Sequence, residues 1–157
     1  MSLLSTPVKN RVILLVEDDP DHAALTIRAL KRNNIANDVV VAKDGAEALA
    51  YLFGTGDYLG RDTREMPQLV VLDLNLPKVD GLEVLRRIRE NELTHLLPIV
   101  IMTSSDEEKD MISGYRLGAN SYVRKPVDFN ALMEATRQLG LYWLVLNVPP
   151  PIGGRAP

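Results

Sequence analysis

Cysteine is absent from this chain of 157 residues, which excludes disulfides, thiolate metal sites and a cysteine nucleophile. The chain also lacks an apolar run of about 18 residues, the length that spans a membrane. Its amino-terminal residues have neither the basic nor the long apolar region of a secretory signal. The net charge of −3 argues against general binding to nucleic acid. We therefore expect a cytoplasmic protein that binds neither membranes nor nucleic acids, without a separate DNA-binding domain.

Four short apolar runs each lead into polar residues that are suited to phosphoryl chemistry. Short apolar runs separated by helical patterns are typical of buried parallel strands. Ligands of an open α/β sheet bind beyond the carboxyl ends of its strands, so these polar residues should meet in one crevice. Acids, hydroxyls and a lysine together suit a divalent cation and a phosphorylated aspartate. The runs and the residues after them are 12–16 before Glu17, Asp18 and Asp19, 69–72 before Asp73, 99–102 before Thr103 and Ser104, and 121–123 before Arg124 and Lys125.

Turn and capping residues divide the chain into alternating strands and helices. Aspartates at 19, 44, 80 and 128 are positioned to begin helices, and Ser105 with Glu108 matches a capping box. With a further apolar run at 39–41, we predict an α/β fold in which five helices flank a doubly wound, five-stranded parallel sheet. We expect a lead-in at 1–10, a domain at 11–146 and a proline-rich arm at 147–157.

Together these motifs resemble the receiver domain of response regulators. The resemblance covers residues 10–140 and implies the flavodoxin-like fold of that family. The chain is further similar to the single-domain regulators of phytochrome histidine kinases, through L-D-L-N-L-P-K, a long loop at 54–66 and the ending Y-W-L before prolines. The motifs that carry the family resemblance are V-E-D-D-P at 16–20, L-D-L-N-L-P at 72–77, Asp80-Gly81, M-T-S at 102–104 and Lys125-Pro126.

The resemblance implies roles for the acidic residues. Asp73 would accept a phosphoryl group from a sensor histidine kinase, such as a bacteriophytochrome. Mg²⁺ would be bound directly by Asp18, through water by Glu17, and by Asp73 and the backbone carbonyl of Asn75. Without the resemblance, Asp73 is a strand-end residue that caps a loop, and Asp18 and Asp19 form an N-cap. Clustered carboxylates repel one another, so we expect the site to be destabilised when it holds no metal.

The resemblance also implies roles for a hydroxyl, an ammonium and an aromatic ring. Thr103 would donate to a phosphoryl oxygen, and Lys125 would offer its charge to the same group. The bond before Pro126 would be cis. Thr103 and Tyr122 would form a switch, in which the hydroxyl moves toward the phosphoryl group as the ring turns inward. Taken singly, a strand threonine, a turn lysine and a packed aromatic are ordinary structural residues.

Two other functions stay open on the sequence alone. Phosphohydrolases of the haloacid dehalogenase type also use an aspartate nucleophile with Mg²⁺. They need a second aspartate two residues later, and this chain has Asn75 there, which cannot exchange a proton. A pseudo-receiver that only binds partners is the other possibility, and the complete set Asp18, Asp73, Thr103 and Lys125 argues against it. We expect a phosphoacceptor signalling protein, not an enzyme, that catalyses its own phosphorylation and slow dephosphorylation.

The two histidines carry no pattern that indicates chemistry. Neither His22 nor His95 has metal-ligand spacing to another histidine. We interpret both as surface residues.

The segment 139–148 contains more apolar residues than one buried helical stripe can use. An exposed apolar patch of this kind marks an interface. We therefore predict a homodimer built from the final helix and the proline arm, with Tyr142, Trp143 and Leu146 at the interface. The alternative is that the segment clamps onto the surface of its own domain.

Overall fold

The fold is an α/β sandwich, seen in a computed structural model that describes residues 11–34 and 37–151. The predicted lead-in at 1–10 lies outside these residues, as does the arm beyond residue 151. The strands are Arg11–Val16 (β1), Asn37–Ala42 (β2), Leu69–Leu72 (β3), Ile99–Thr103 (β4) and Ser121–Arg124 (β5). The α-helices are Pro20–Lys31 (α1), Gly45–Phe53 (α2), Gly81–Glu90 (α3), Glu108–Arg116 (α4) and Phe129–Leu141 (α5).

All five strands pair in parallel in the order β2-β1-β3-β4-β5. The predicted doubly wound sheet with five helices is therefore confirmed within the described residues. The order reverses between β1 and β3, which creates a crevice at the carboxyl ends of these strands. β3 and β4 are buried along their whole length, as their uninterrupted apolar sequences predict.

Alternate residues of each central strand pack into two separate core layers. One layer joins Leu14, Val70 and Ile101 to side chains of α2 and α3. The other joins Leu15 and Val71 to side chains of α1 and α5. No helix in the described ranges combines the length and apolar character that crossing a bilayer requires.

The predicted aspartate caps begin four of the helices. Asp19, Asp44, Asp80 and Asp128 each accept a hydrogen bond from a backbone N–H in the first turn of α1, α2, α3 and α5. These bonds satisfy donors that have no partner within the helix. The caps fix where each helix leaves the carboxyl edge of the sheet.

Two local expectations are wrong. α4 begins at Glu108 with Glu107 as its N-cap, so Ser105 does not form the predicted capping box. Its hydroxyl donates to Asp110 Oδ2 at 2.7 Å and its oxygen accepts from the backbone N–H of Glu107 at 3.4 Å, because α4 begins two residues later than a cap at Ser105 requires. The bond before Pro126 is trans, since the described residues contain no cis peptide bond.

The C-terminal segment continues α5 and then reaches the edge of the sheet at which β3 and β4 begin. A π-helical turn, Tyr142–Leu146, follows α5, and Leu144 is buried in the core. Gln68 Nε2 donates to the carbonyls of Trp143 and Leu144, both at 3.3 Å. Beyond the turn, Pro149, Pro150 and Pro151 border a cavity of about 190 Å³ that Met66, Leu93 and Leu96 also line. The arm therefore begins against its own domain, as the clamp alternative requires.

Gly81 allows α3 to begin against the end of β3. A Cβ at this position would lie 2.3 Å from the carbonyl oxygen of Asp73 and 2.6 Å from Leu74 Cα. We expect Gly81→Ala to lower the free energy of unfolding by about 1–3 kcal/mol, although alanine favours helices. Urea unfolding measures this value. The exposed control Arg87→Ala should change it by less than about 0.5 kcal/mol, and equal stability of Gly81→Ala and wild type would contradict the packing described.

Candidate functional site

The site lies at the carboxyl edge of the sheet, where four strands end. Backbone pairing continues past the strands: Asp73 N–H donates to Val16 O at 3.1 Å, and Lys125 N–H donates to Thr103 O at 2.7 Å. Glu17 follows β1 in the same way, and its backbone N–H donates to Ala42 O at 3.0 Å. The sheet itself thus sets the spacing of these side chains.

Asp73 is buried and both of its carboxylate oxygens accept hydrogen bonds. Oδ1 accepts from Thr103 Oγ1 at 3.0 Å and from the backbone N–H of Asn75 at 3.1 Å. Oδ2 accepts from Lys125 Nζ at 2.9 Å. The predicted hydroxyl and lysine therefore both lie within hydrogen-bonding distance of the predicted acceptor, Asp73.

The Lys125 ammonium donates to three side chains. The acceptors are Glu17 Oε1 at 2.6 Å, Asp73 Oδ2 at 2.9 Å and His22 Nδ1 at 3.2 Å. Burial by itself lowers the pKa of Lys125, but the hydrogen bonds to Glu17 and Asp73 outweigh burial and raise that pKa above its usual value. The lysine is therefore a charged group held between two carboxylates.

Glu17, Asp18 and Asp73 form a carboxylate cluster. One ligand oxygen from each lies within 4.8 Å of the others, with Asp18 exposed and the other two buried. Burial raises the pKa of Glu17, against the opposing effect of Lys125. An oxygen set of this kind, partly open to water, suits Mg²⁺ or a similar hard divalent cation. Asn75 adjoins the cluster, because its backbone N–H donates to Asp73 Oδ1.

A hydrogen-bonded chain leads from Asp73 to Tyr122. Thr103 Oγ1 donates to Asp73 and accepts from the backbone N–H of Ser105 at 3.3 Å. The carbonyl of Ser105 accepts from the Tyr122 hydroxyl at 3.4 Å. Burial raises the pKa of the Tyr122 phenol. The two predicted switch residues are thus connected through the loop between β4 and α4.

His22 is partly exposed, as the interpretation of it as a surface residue expects, but it also makes a contact in the site that was not predicted. Its side chain is 37% exposed, yet its Nδ1 lies 3.2 Å from Lys125 Nζ. The Asp19 cap places His22 in the first turn of α1, directly beside the end of β1. The cap was visible in the sequence, but the contact joins residues 103 positions apart, which spacing alone does not show.

The predicted interface residues differ in exposure. Tyr142 and Leu146 are 50% and 71% exposed, whereas Trp143 is half-buried and packs against the core layer of α1 and α5. Val145 and Val148 are also exposed. We call Tyr142, Val145, Leu146 and Val148 the C-terminal apolar surface.

Comparison with known proteins gives relatives along nearly the whole chain. Rcp1, a response regulator of Synechocystis, is 38% identical over 144 residues, which cover 92% of this chain and 95% of Rcp1. The crystal structure of its Mn²⁺-bound form covers 89% of this chain and 99% of that one, at 36% identity and a TM-score of 0.83.

Two further solved structures are similar over the same extent. The phosphorylated cyanobacterial phytochrome response regulator RcpA has a TM-score of 0.85 at 34% identity, covering 90% of this chain and 99% of its own. The bacteriophytochrome response regulator AtBRR is 48% identical with a TM-score of 0.70, covering 90% and 100%. The family model of the response regulator receiver domain matches residues 13–137. This chain therefore belongs to the response-regulator receiver domains and is homologous to phytochrome response regulators.

Proposed function

We propose that this receiver accepts a phosphoryl group from a sensor histidine kinase onto Asp73 in the cytoplasm. The observation that carries the proposal is the buried Asp73 carboxylate, bonded to Thr103 and Lys125 beside a carboxylate cluster. Phosphorylation of the homologue RcpA is consistent with it. The likeness to AtBRR favours a bacteriophytochrome as the kinase.

The side chains around Asp73 favour transfer because they lie where negative charge accumulates. One carboxylate oxygen attacks phosphorus in line, so that a P–O bond forms as the P–N bond of the donor phosphohistidine breaks. Negative charge then builds up on the phosphoryl oxygens. The Thr103 hydroxyl and the Lys125 ammonium, which donate to Asp73 before transfer, then donate to these oxygens. These residues keep the attacking carboxylate oriented before transfer and stabilise the charge during it.

A divalent cation fits the carboxylate cluster. Glu17, Asp18, Asp73 and the Asn75 carbonyl would hold it, and Mg²⁺ would retain several waters. When bound, the ion would supply positive charge that offsets the negative charge of a phosphoryl group. The existence of a Mn²⁺-bound form of the relative Rcp1 is consistent with cation binding by this chain.

The phosphorylated state would change the surface near α4 and β5. Hydrogen bonds that join Asp73, Thr103, Ser105 and Tyr122 connect the phosphorylation site to that surface. Movement of Thr103 toward a phosphoryl oxygen alters the Ser105 loop to which Tyr122 donates. We propose that the signal is relayed through protein contacts on this face.

Turnover of small phosphate esters is disfavoured by Asn75. Its amide cannot act as the general acid and base that a phosphohydrolase needs at this position. The phosphorylated aspartate should therefore persist and be lost slowly by the protein's own catalysis.

Asp73→Asn tests the phosphoacceptor. With acetyl phosphate and Mg²⁺, intact mass spectrometry should show one phosphoryl adduct on wild type and none on Asp73→Asn, because an amide does not attack phosphorus. Asp80→Asn is the matched control, since it makes the same change at an exposed cap that asparagine also satisfies, and it should keep the adduct. Labelling of Asp73→Asn would refute the assignment, and rapid multiple turnover would instead support an enzyme.

Asp18→Ala tests the metal site. In chelator this variant should melt about 2–4 °C above wild type, the equivalent of about 1 kcal/mol, because one repelling carboxylate is removed. Wild type should be stabilised as Mg²⁺ is added, by mass action, and Asp18→Ala should lose most of this response. Asp21→Ala, which makes the same charge change outside the cluster, should respond like wild type. An undiminished Mg²⁺ response in Asp18→Ala would exclude it as a ligand.

We further propose that the protein forms a homodimer through the C-terminal apolar surface. Four apolar side chains are exposed within seven positions there, next to an arm of extended prolines. Tyr142 and Leu146 are the better anchors, because Trp143 already packs against its own core.

Leu146→Asp tests the dimer. A charge at this exposed position should weaken association at least about tenfold, the equivalent of about 1.4 kcal/mol, without disturbing the core. Leu59, which is 83% exposed in the loop before β3, gives the matched control Leu59→Asp. Sedimentation velocity at micromolar concentration measures both variants. A monomeric wild type, with and without phosphorylation, would favour the intramolecular clamp instead.

A further inference from the structure

His22 is the one member of the Lys125 hydrogen-bond set that belongs to no family motif quoted above. Lys125 donates to Glu17, Asp73 and His22 at 2.6, 2.9 and 3.2 Å. An ammonium has three donors and no acceptor, so these three bonds use its full capacity. The contact with His22 is a hydrogen bond in the tautomer that carries its proton on Nε2, with Nδ1 as the acceptor.

The other two acceptors, Asp73 and Glu17, also take part in the proposed phosphorylation. Asp73 becomes the phosphorylated residue, and Glu17 belongs to the carboxylate cluster. Both must alter their bonds to Lys125 when a cation and a phosphoryl group bind. His22 has neither task, and its Nδ1 lies 3.9 Å from the nearest oxygens of Glu17 and Asp19, beyond hydrogen-bond distance.

We infer that His22 is a positioning residue for Lys125, holding its ammonium beside Asp73 while the bonds to the two carboxylates change. The backbones of both His22 and Lys125 are fixed. His22 lies in the first turn of α1, which the Asp19 side chain caps, and the Lys125 backbone is bonded to Thr103. The lysine side chain between them has four rotatable bonds, so an acceptor at its tip limits where the charge can move. The inference rests on the proposed phosphorylation of Asp73.

Two substitutions at His22 distinguish the effect of losing the acceptor atom from the effect of losing the ring. Asparagine can place its Oδ1 close to the position of Nδ1, whereas alanine removes the acceptor. We expect His22→Ala to slow adduct formation from acetyl phosphate and Mg²⁺ about five- to tenfold, the effect of losing one bond to a charged group. His22→Asn should remain within about twofold of wild type. Because the side chain is partly exposed, both variants should fold and bind Mg²⁺ as wild type does.

A second measurement observes the lysine directly. In ¹⁵N-labelled protein, the Lys125 ammonium signal, assigned by its loss in Lys125→Arg, should be slow to exchange in wild type and His22→Asn and fast in His22→Ala. An adduct rate or an ammonium signal that His22→Ala leaves unchanged overturns the inference. Failure of wild type to form any adduct would instead refute the proposed function.

Discussion

Two buried carboxylates share one ammonium in this protein, and the site depends on that arrangement. A buried charge is costly unless it is paired and hydrogen-bonded. Glu17 and Asp73 both meet this condition through Lys125, which joins the ends of β1, β3 and β5. Neutralising any one of the three leaves at least one buried charge with a poorer partner. The raised pKa of Glu17 shows that the pairing compensates its burial incompletely.

The sheet makes this arrangement possible with few residues. Strand order brings β1, β3 and β4 side by side, and their apolar residues are anchored in two core layers. A polar residue lies in the crevice if it comes directly after the carboxyl end of its strand. Gly81 completes the geometry, because its missing side chain lets α3 begin against the Asp73 carbonyl. The chemistry is therefore carried by residues at strand ends, while the core determines their spacing.

The sequence predicts the part of the site that depends on strand ends. The apolar runs before Glu17, Asp73, Thr103 and Lys125 indicated both the strands and the edge at which they converge, and helix caps followed from single aspartates. Contacts that depend on side-chain direction across long separations were not predictable. The bond between Lys125 and His22 is one example. The bond from Ser105 to Asp110 is local and was missed for another reason: the capping-box pattern did not fix where α4 begins or the acceptor of the Ser105 hydroxyl.

Gln68 and Asp73 stand at the two ends of β3, a strand of four residues. The amide of Gln68 holds the turn after α5, whereas Asp73 faces the crevice at the opposite edge, about 16 Å away for a strand rise near 3.3 Å per residue. A molecule that sits on the C-terminal apolar surface thus approaches the amino ends of the strands, and a phosphodonor approaches their carboxyl ends. The proposed dimer contact and the proposed phosphoacceptor therefore lie at opposite ends of the sheet.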